Sequence, residues 1–321
     1  MDANIGVLLT GATGFVGRAL QQRMLSDAKF VLSIAARRMV DAPSAVNVFS
    51  VTDLTADTDW SHALEGIDIV IHSAARVHVM SDTSVEPLVE FRKVNVDGTL
   101  RLAQQAVAAG VKRFVFVSSI KVNGESTVLG QPFTADAAAN PIDPYGISKH
   151  EAELALLALA QKTGLEVVIV RPVLVYGPGV KANFRNMMKW VNRGVPLPLG
   201  AIHNKRSLVA LDNLVDLILT CAEHPAAVNQ VFLASDGHDL STTQMLQKLG
   251  VALDKSSRLL PIPMSWLNIL FTLLGKQSFS RRLCGSLQVD ITKNQQLLNW
   301  TPPVSVEEAM RKTVSAYLAE Q

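Results

Sequence analysis

Apolar runs of strand length alternate with helix-type patterns over the first half of this chain. The strand-length runs are Ile5–Thr10, Lys29–Ala36, Ile67–Ser73, Val111–Ser119 and Leu165–Arg171, which Pro172 closes. The helix patterns are Arg18–Leu25, Val94–Gly110 and Tyr145–Thr163. Short apolar strands separated by helices are typical of a parallel sheet with right-handed crossovers. The pattern therefore predicts an α/β fold with a doubly wound parallel sheet.

The composition and the hydrophobic pattern of the chain change after Pro172. Pro and Gly become dense, as in residues 176–179 and 194–200, and strand patterns become fewer. We predict a first domain over 1–172, which segments near 205–235 rejoin. Residues 173–321 are predicted to form mostly a smaller, less regular C-terminal substrate domain over the carboxyl edge of the sheet.

Composition excludes several classes of protein. The 321 residues carry a formal net charge of +2, so nothing indicates a nucleic-acid partner. Cys221 and Cys284 follow neither disulfide nor metal-ligand spacing, which fits a reducing compartment and predicts no metal site. No signal peptide pattern precedes the first strand, and no apolar stretch reaches the roughly 18 residues of a membrane span. We expect a cytoplasmic protein.

Three glycines, Gly11, Gly14 and Gly17, follow the first strand and lead directly into a helix pattern. A strand, a glycine-rich turn and a helix place free backbone N–H groups and the positive end of a helix dipole together, which suits a diphosphate. Gly11 permits the sharp turn, Gly14 the approach of the phosphates, and Gly17 close packing of helix on strand. The spacing predicts a Rossmann-like dinucleotide site. An ordinary strand–helix turn built from small residues is the alternative.

Tyr145 and Lys149 lie four residues apart at the start of a helix pattern, and Ser118 and Ser119 end the strand before it. Residues spaced by four share one face of a helix. A free tyrosine has a pKa near 10, and a nearby lysine cation lowers that pKa by favouring the phenolate. The pair therefore predicts an acid–base site at the carboxyl edge of the sheet. A surface pair on an amphipathic helix is the alternative.

The second predicted strand ends at Ala36 and is followed by Arg37 and Arg38. A site that prefers NAD places a carboxylate there for the ribose 2′-hydroxyl, whereas guanidinium groups suit a 2′-phosphate. The residues favour NADP(H), with NAD(H) as the other possibility. The alternative is that both arginines are solvated loop charges.

Several motifs together resemble one known family. They are Thr10-Gly11-x-x-Gly14-x-x-Gly17, Asp53-Leu54, His72-Ser73-Ala74-Ala75, Val94–Thr99, Ser118-Ser119, Tyr145-x-x-x-Lys149, Arg171-Pro172, Tyr176–Gly179, Arg206 and Asn299–Pro303. In this order they resemble the extended short-chain dehydrogenase/reductase family, in its NAD(P)-dependent sugar-nucleotide epimerase/dehydratase branch. The resemblance covers nearly the whole chain.

The resemblance implies roles for single residues. Tyr145 would be the acid–base residue at the sugar, Lys149 would hold the nicotinamide ribose, and Ser119 would hydrogen-bond the reacting oxygen, with Ser118 competing for that role. Asp53 would accept from the adenine amino group, or else cap a turn. The full cofactor-binding set implied is Gly11, Thr13, Gly14, Phe15, Val16, Gly17, Arg37, Arg38, Asp53, Leu54, Ala74, Ala75, Tyr145, Lys149 and Pro172.

The expected substrate is a nucleotide sugar. By the resemblance Arg206 would grip its diphosphate, Asn183 would add a phosphate contact, and Ser119 would contact the sugar. A bidentate guanidinium–phosphate contact is a reason for Arg rather than Lys at that position. The alternative for Arg206 is a charge at the edge of a strand.

Two departures from the family pattern narrow the reaction. In the 4,6-dehydratases of this family an Asp–Glu pair follows the serine, whereas this chain has Ile120 and Lys121, which argues against dehydration. Arg37 and Arg38 favour a reductase that consumes NADPH. We therefore expect a reductase of a UDP-4-keto-6-deoxy-N-acetylhexosamine in cell-surface polysaccharide biosynthesis. The alternative is a UDP-glucose or UDP-N-acetylglucosamine 4-epimerase with tightly bound NAD, on a nucleotide or polyprenyl-diphosphate sugar. A non-catalytic NADP-binding sensor is the least favoured.

Two surfaces carry further expectations. Leu259–Leu274 is apolar and uncharged, and Lys276, Arg281 and Arg282 follow it. It predicts either a buried helix or lid of the substrate domain, or a weak contact of residues 259–282 with a membrane surface. The helices Val94–Gly110 and Tyr145–Thr163 should lie on one side of the sheet. By the resemblance they would form the four-helix interface of a homodimer, and the alternative is a monomer in which they only cover the sheet.

Overall fold

The computed structural model describes residues 4–38, 43–77, 86–273, 275 and 283–321. Its strands are β1 Ile5–Thr10, β2 Phe30–Ala36, β3 Asn47–Ser50, β4 Ile69–His72, β5 Arg113–Val117, β6 Glu166–Pro172, β7 Leu174–Tyr176, β8 Arg206–Ala210, β9 Val231–Ala234 and β10 Asp239–Leu240. Its α-helices are α1 Phe15–Leu25, α2 Pro87–Arg92, α3 Thr99–Ala108, α4 Pro144–Thr163, α5 Ala182–Asn192, α6 Leu211–Glu223, α7 Thr242–Ala252, α8 Met264–Leu273, α9 Thr292–Leu298 and α10 Val306–Ala319.

Seven of the described strands form one parallel sheet in the order β3-β2-β1-β4-β5-β6-β9. The order reverses between β1 and β4, where Thr10 pairs with His72. Ligands of such sheets bind at the carboxyl ends of the strands beside this reversal. The predicted doubly wound, Rossmann-like fold is confirmed.

The sheet is covered on both faces. One core cluster joins β1, β2 and β6 to α1 and α6, and another joins the opposite face of the sheet to α3 and α4. Leu102 and Ala106 of α3 and Leu156 of α4 belong to that second cluster and are fully buried. The prediction that these two helices lie on one side of the sheet is confirmed.

The helix predicted over Val94–Gly110 differs in detail. One turn of π-helix over Lys93–Gly98 precedes α3, and the short helix α2 precedes that turn. A Cβ atom at Gly98 would lie 2.7 Å from the carbonyl oxygen of Leu54, so this turn lies directly against the chain after β3. The irregular turn thereby fixes the loop that carries Asp53.

The C-terminal half contributes to both parts of the molecule. The strand β9 extends the main sheet beside β6, and α6 covers one of its faces, whereas β7, β8 and β10 form a separate three-stranded sheet. A third core cluster joins α5, α7 and α10. The division at residue 172 stays a proposal.

The apolar segment 259–274 is only partly helical. Leu259 pairs with Leu197 in extended conformation, and α8 begins at Met264. Leu274 and residues 276–282, with Arg281 and Arg282, lie outside the described residues. Among the helices that the structure describes, none has the length and apolar character to cross a membrane.

Candidate functional site

Backbone packs closely against two glycines of the turn after β1, Gly11 and Gly17. Gly11 has φ +72°, and a Cβ atom there would lie 2.6 Å from the amide nitrogen of Ala74. A Cβ atom at Gly17 would lie 2.1 Å from the carbonyl oxygen of Gly11, so the close packing predicted there is confirmed. Gly14 caps the start of α1, whose first turn carries no acidic residue.

These features fit a dinucleotide diphosphate. Thr13 and Gly14 are exposed, and the amide groups at the start of α1 point out of the helix without a side-chain cap. Phe15 and Val16 pack half-buried against the core and hold the helix in place. A larger residue at Gly11 or Gly17 would fill the space that the turn needs.

The carboxyl ends of the neighbouring strands carry the next candidates. Arg37 and Arg38 follow β2 directly and are exposed. Asp53 follows β3, and its carboxylate accepts a 2.8 Å hydrogen bond from the backbone N–H of Leu54, as a turn cap would. Asp53 is an exposed residue, so a role as cap is compatible with a ligand contact.

His72 lies at the end of β4, between two threonines. Its Nδ1 lies 2.7 Å from the hydroxyl of Thr10, and its Nε2 lies 3.0 Å from that of Thr99. Burial, together with the charge of Lys149, lowers the pKa of His72 to about 3, so the ring is neutral near pH 7. Ala74 and Ala75 follow after Ser73 and are half-buried, and the amide nitrogen of Ala74 lies beside Gly11. The histidine therefore connects β1 and the end of β4, at the strand reversal, to the start of α3.

Tyr145 lies in the first turn of α4, which Asp143 caps by accepting a 2.7 Å hydrogen bond from the N–H of Gly146. The side chain of Tyr145 hydrogen-bonds with that of Ser119 at the end of β5. Burial and the nearby charge of Asp143 raise the pKa of Tyr145 to about 12, although the bond with Ser119 opposes that rise. The phenol is therefore protonated before a cofactor or substrate arrives.

Lys149 is buried one helical turn beyond Tyr145. Its Nζ donates a 2.9 Å hydrogen bond to the carbonyl oxygen of Val117 and lies 4.2 Å from the centre of the Phe116 ring. Burial lowers the pKa of Lys149 to about 7, against the raising effect of Glu153. The structure brings Tyr145, Lys149 and Ser119 together, as the sequence predicts.

A buried ion pair behind Lys149 was missed by sequence reasoning. Glu153 accepts from the guanidinium of Arg171 at 2.5 and 3.0 Å, and Arg171 also donates to Asn123 at 3.0 Å. Ser118 donates a 2.5 Å hydrogen bond to the same carboxylate. The available signal was spacing, since Glu153 follows Lys149 by four residues and Tyr145 by eight on one face of α4.

Lys121 lies opposite the start of α4. Its ammonium group pairs with the carboxylate of Asp143, while Ile120 is buried. In the dehydratases of the resembled family, these two positions carry a pair of carboxylates. Here Ile120 supplies an apolar side chain, and Lys121 supplies a cation that is already paired with Asp143, the cap of α4.

The predicted substrate residues lie in the C-terminal region. Arg206 opens β8 and is half-buried, and burial lowers its pKa. Its guanidinium donates to the carbonyl oxygen of Gly285 at 3.2 Å, and among the described residues it has no carboxylate partner. Asn183 is exposed in the first turn of α5, and Pro172 ends β6 opposite Ala234. A half-buried guanidinium without a carboxylate partner among the described residues is suited to a phosphate.

Comparison with known families and proteins gives a consistent result. The sequence model of the NAD dependent epimerase/dehydratase family matches residues 7–234. The chain is 49% identical over 313 residues to a UDP-glucose 4-epimerase of Vibrio cholerae, which covers 97% of this chain and 95% of that protein. It is 27% identical over 325 residues to the N-acetyl-alpha-D-glucosaminyl-diphospho-ditrans,octacis-undecaprenol 4-epimerase of Escherichia coli, over 97% and 95% of the two chains.

Solved structures agree on the fold. A UDP-glucuronic acid 4-epimerase from Bacillus cereus in complex with NAD superposes with a TM-score of 0.79 at 19% identity, over 98% of this chain and 99% of that chain. The comparisons favour the 4-epimerase alternative over the expected 4-ketoreductase. They give no support to the expected preference for NADP(H), because the matching family is NAD-dependent.

Proposed function

The chain belongs to the NAD-dependent epimerase/dehydratase family, as its motifs predict, and we propose that it is a UDP-sugar 4-epimerase that keeps its NAD bound. The observation that carries the choice of reaction is the 49% identity to a UDP-glucose 4-epimerase over nearly the full length of both chains. The hydrogen-bonded pair of Tyr145 and Ser119, beside the buried Lys149, supports proton transfer at a sugar hydroxyl.

The residues around the glycine turn would hold the cofactor. The amides at the start of α1 would bind its diphosphate, Asp53 would bind the adenine, and Lys149 would bind the nicotinamide ribose. Bound NAD would supply a reversible hydride acceptor at C4 of the sugar, which a 4-epimerase needs.

Tyr145 would take the proton of the C4 hydroxyl and return it. Its pKa of about 12 must fall before it acts as a base, and the Lys149 cation supplies the positive charge for that. Ser119 would hold the same sugar oxygen through its hydroxyl. Arg206, with Asn183 at the start of α5, would bind the diphosphate of the nucleotide sugar.

The decisive experiment is to denature the purified protein, identify the released nucleotide by mass and absorbance, and assay UDP-glucose against UDP-galactose without added cofactor. The proposal predicts stoichiometric NAD and interconversion of the two sugars. Tyr145→Phe should lose about 10²–10⁴-fold in rate and still release NAD, since acid–base catalysis contributes that much. Arg206→Ala should raise KM and leave the bound NAD unchanged.

A second candidate is the 4-ketoreductase, which the exposed Arg37 and Arg38 beside the glycine turn favour. It predicts an empty site that prefers NADPH to NADH, and NADPH consumption with a UDP-4-keto-6-deoxy-N-acetylhexosamine. The double variant Arg37→Ala/Arg38→Ala separates the candidates, because only a reductase would lose cofactor affinity. If released NAD is found but UDP-hexoses are inert, a polyprenyl-diphosphate sugar is the next substrate to assay, given the Escherichia coli relative.

We also propose a homodimer through α3 and α4. Both helices cover the same face of the sheet, and α4 leaves Leu154 exposed on its outer side. Light scattering after gel filtration tests this proposal. Leu154→Glu should give a monomer. If the variant has the same mass in solution as the unmodified protein, α4 faces solvent instead.

A further inference from the structure

The helix α8 exposes an apolar stripe. It carries no charged residue, and Leu267 on its inner side is 2% exposed and belongs to the core cluster of the C-terminal region. On the outer side Trp266, Ile269 and Leu273 are 71%, 61% and 80% exposed. Spacings of three, four and seven place these three side chains on one face. An exposed apolar stripe of this kind marks an interaction surface.

The extended segment before α8 continues this face. The N–H of Leu197 donates to the carbonyl oxygen of Arg258 at 2.9 Å, and that of Leu260 donates to the carbonyl oxygen of Leu197 at 2.8 Å. Arg258 and Leu260 are both exposed, as alternate residues of an extended chain on one side are. Leu197 and Leu259 pack on the same core cluster as Leu267, and the pairing continues to Ala201 and Pro263, the residue directly before α8. We call Arg258, Leu260, Trp266, Ile269 and Leu273 the α8 surface.

Exposed basic residues lie along the extended segment of the α8 surface. Lys255 and Arg258 are exposed there, and Arg193, which follows α5, is exposed four residues before Leu197, the hydrogen-bonding partner of this segment. The basic residues outnumber the exposed Asp254, which directly precedes the segment. The complementary partner is therefore negative as well as apolar.

We propose that the α8 surface rests on an anionic phospholipid bilayer. Apolar side chains with a tryptophan and a basic surround match the interface of such a bilayer, where the apolar groups enter the acyl boundary and the cations meet lipid phosphates. A second copy of this chain fits less well, because it would place two basic surrounds against each other. A helix of this length extends about 15 Å, half the hydrocarbon thickness, so it lies along the surface.

Flotation of the full-length protein with liposomes tests this proposal. Vesicles of phosphatidylcholine alone are compared with vesicles that contain about 30% phosphatidylglycerol, at low and at roughly physiological salt. We expect binding to the anionic vesicles that weakens with salt. Trp266→Ser/Ile269→Ser should reduce it at least tenfold, and Arg258→Gln should reduce it on anionic vesicles alone.

The matched control is Val128→Ser/Leu129→Ser, which removes two exposed apolar side chains from the loop after β5. It should bind vesicles like the unmodified protein. All variants should keep the same melting temperature and the same bound nucleotide. Equal binding to neutral and anionic vesicles, or an equal loss in the control, would overturn the proposal. The proposal would also be overturned if the unmodified protein does not bind vesicles and Trp266→Ser/Ile269→Ser changes the oligomeric mass. That result would mean that a second copy of the chain covers the α8 surface.

Discussion

Ser118 donates a 2.5 Å hydrogen bond to Glu153, while its neighbour Ser119 hydrogen-bonds with Tyr145. Consecutive residues at the end of β5 point to opposite sides, so one serine is committed to the buried ion pair and the other faces the acid–base tyrosine. The sequence left both serines as candidates, and this geometry favours Ser119.

The two serines should therefore give different defects. Ser119→Ala should lower kcat about 10- to 100-fold, because a hydroxyl bound to the reacting oxygen is lost, and leave the melting temperature nearly unchanged. Ser118→Ala should lower stability by about 1–3 kcal/mol through the loss of its buried hydrogen bond to the Glu153 carboxylate, with a smaller effect on kcat. Steady-state kinetics and thermal melts of both variants check this. The reverse pattern would assign the role to Ser118.

Glu153 should control the alkaline limit of activity. Its carboxylate supports the Lys149 cation, so Glu153→Gln should lower the pKa of Lys149 below about 7 and move the alkaline limb of the rate profile to lower pH. Glu151→Gln is the matched control, because Glu151 lies on the same helix and pairs with Arg92 at the surface. Its profile should match that of the unmodified protein.

Loss of stability is a separate effect of the same variant. Glu153→Gln leaves Arg171 buried without a counter-charge, which costs about 3–5 kcal/mol. The double variant Glu153→Gln/Arg171→Gln removes both charges and should recover part of that loss. Because it still lacks the carboxylate, its alkaline limb should stay at the lower pH. If the alkaline limb of the double variant instead returns to its original pH together with the stability, Glu153 acts only on the fold.

His72 should make the fold sensitive to acid. Its pKa is about 3 in the folded chain and about 6.5 in the unfolded chain, so the unfolded chain binds the extra proton first as pH falls. The stabilisation is complete above about pH 6.5 and declines by about 1.4 kcal/mol per pH unit down to the folded pKa. Denaturant melts between pH 7 and about pH 4.5 measure this decline. His72→Gln should be less stable at pH 7 and lose that part of the slope.

Gly17 should tolerate no side chain. Gly17→Ala places its Cβ atom against the carbonyl oxygen of Gly11, so helix α1 must shift away from β1. We expect loss of bound nucleotide and several kcal/mol of stability. Gly110→Ala is the control, because Gly110 has φ +80° with open space around it and should cost only about 1–2 kcal/mol of backbone strain. Nucleotide content and melting temperature of both variants test the difference.

Local patterns were enough for five of the seven described strands of the main sheet and for part of the site. The glycine turn and the Tyr145–Lys149 pair are each encoded within a few residues, and the structure places both where the sequence predicts. The strand β3 was missed because its four residues lie at the sheet edge with little burial. Its loop carries Asp53, so the position of that residue depended on a contact with the distant Gly98.

The interior of the site depends on contacts that spacing alone does not specify. Arg171 and Glu153 meet across β6 and α4, and His72 joins Thr10 to Thr99 across β1 and α3. A charged residue in an apolar segment indicates a buried partner, but the identity of that partner depends on the three-dimensional packing. The same holds for Lys121, whose partner Asp143 follows it by 22 residues.

The pairing of β9 with β6 also governs the order in which the chain acquires its structure during synthesis. Pro172 of β6 meets Ala234 of β9, and the ribosome adds the intervening residues in about 3–12 s. During that interval the outer hydrogen-bonding edge of β6 has no native neighbour and is open to pairing with another nascent chain. The nascent protein is thus open to pairing with other chains after β1 to β6 have been made, and a chaperone that acts there should increase the yield.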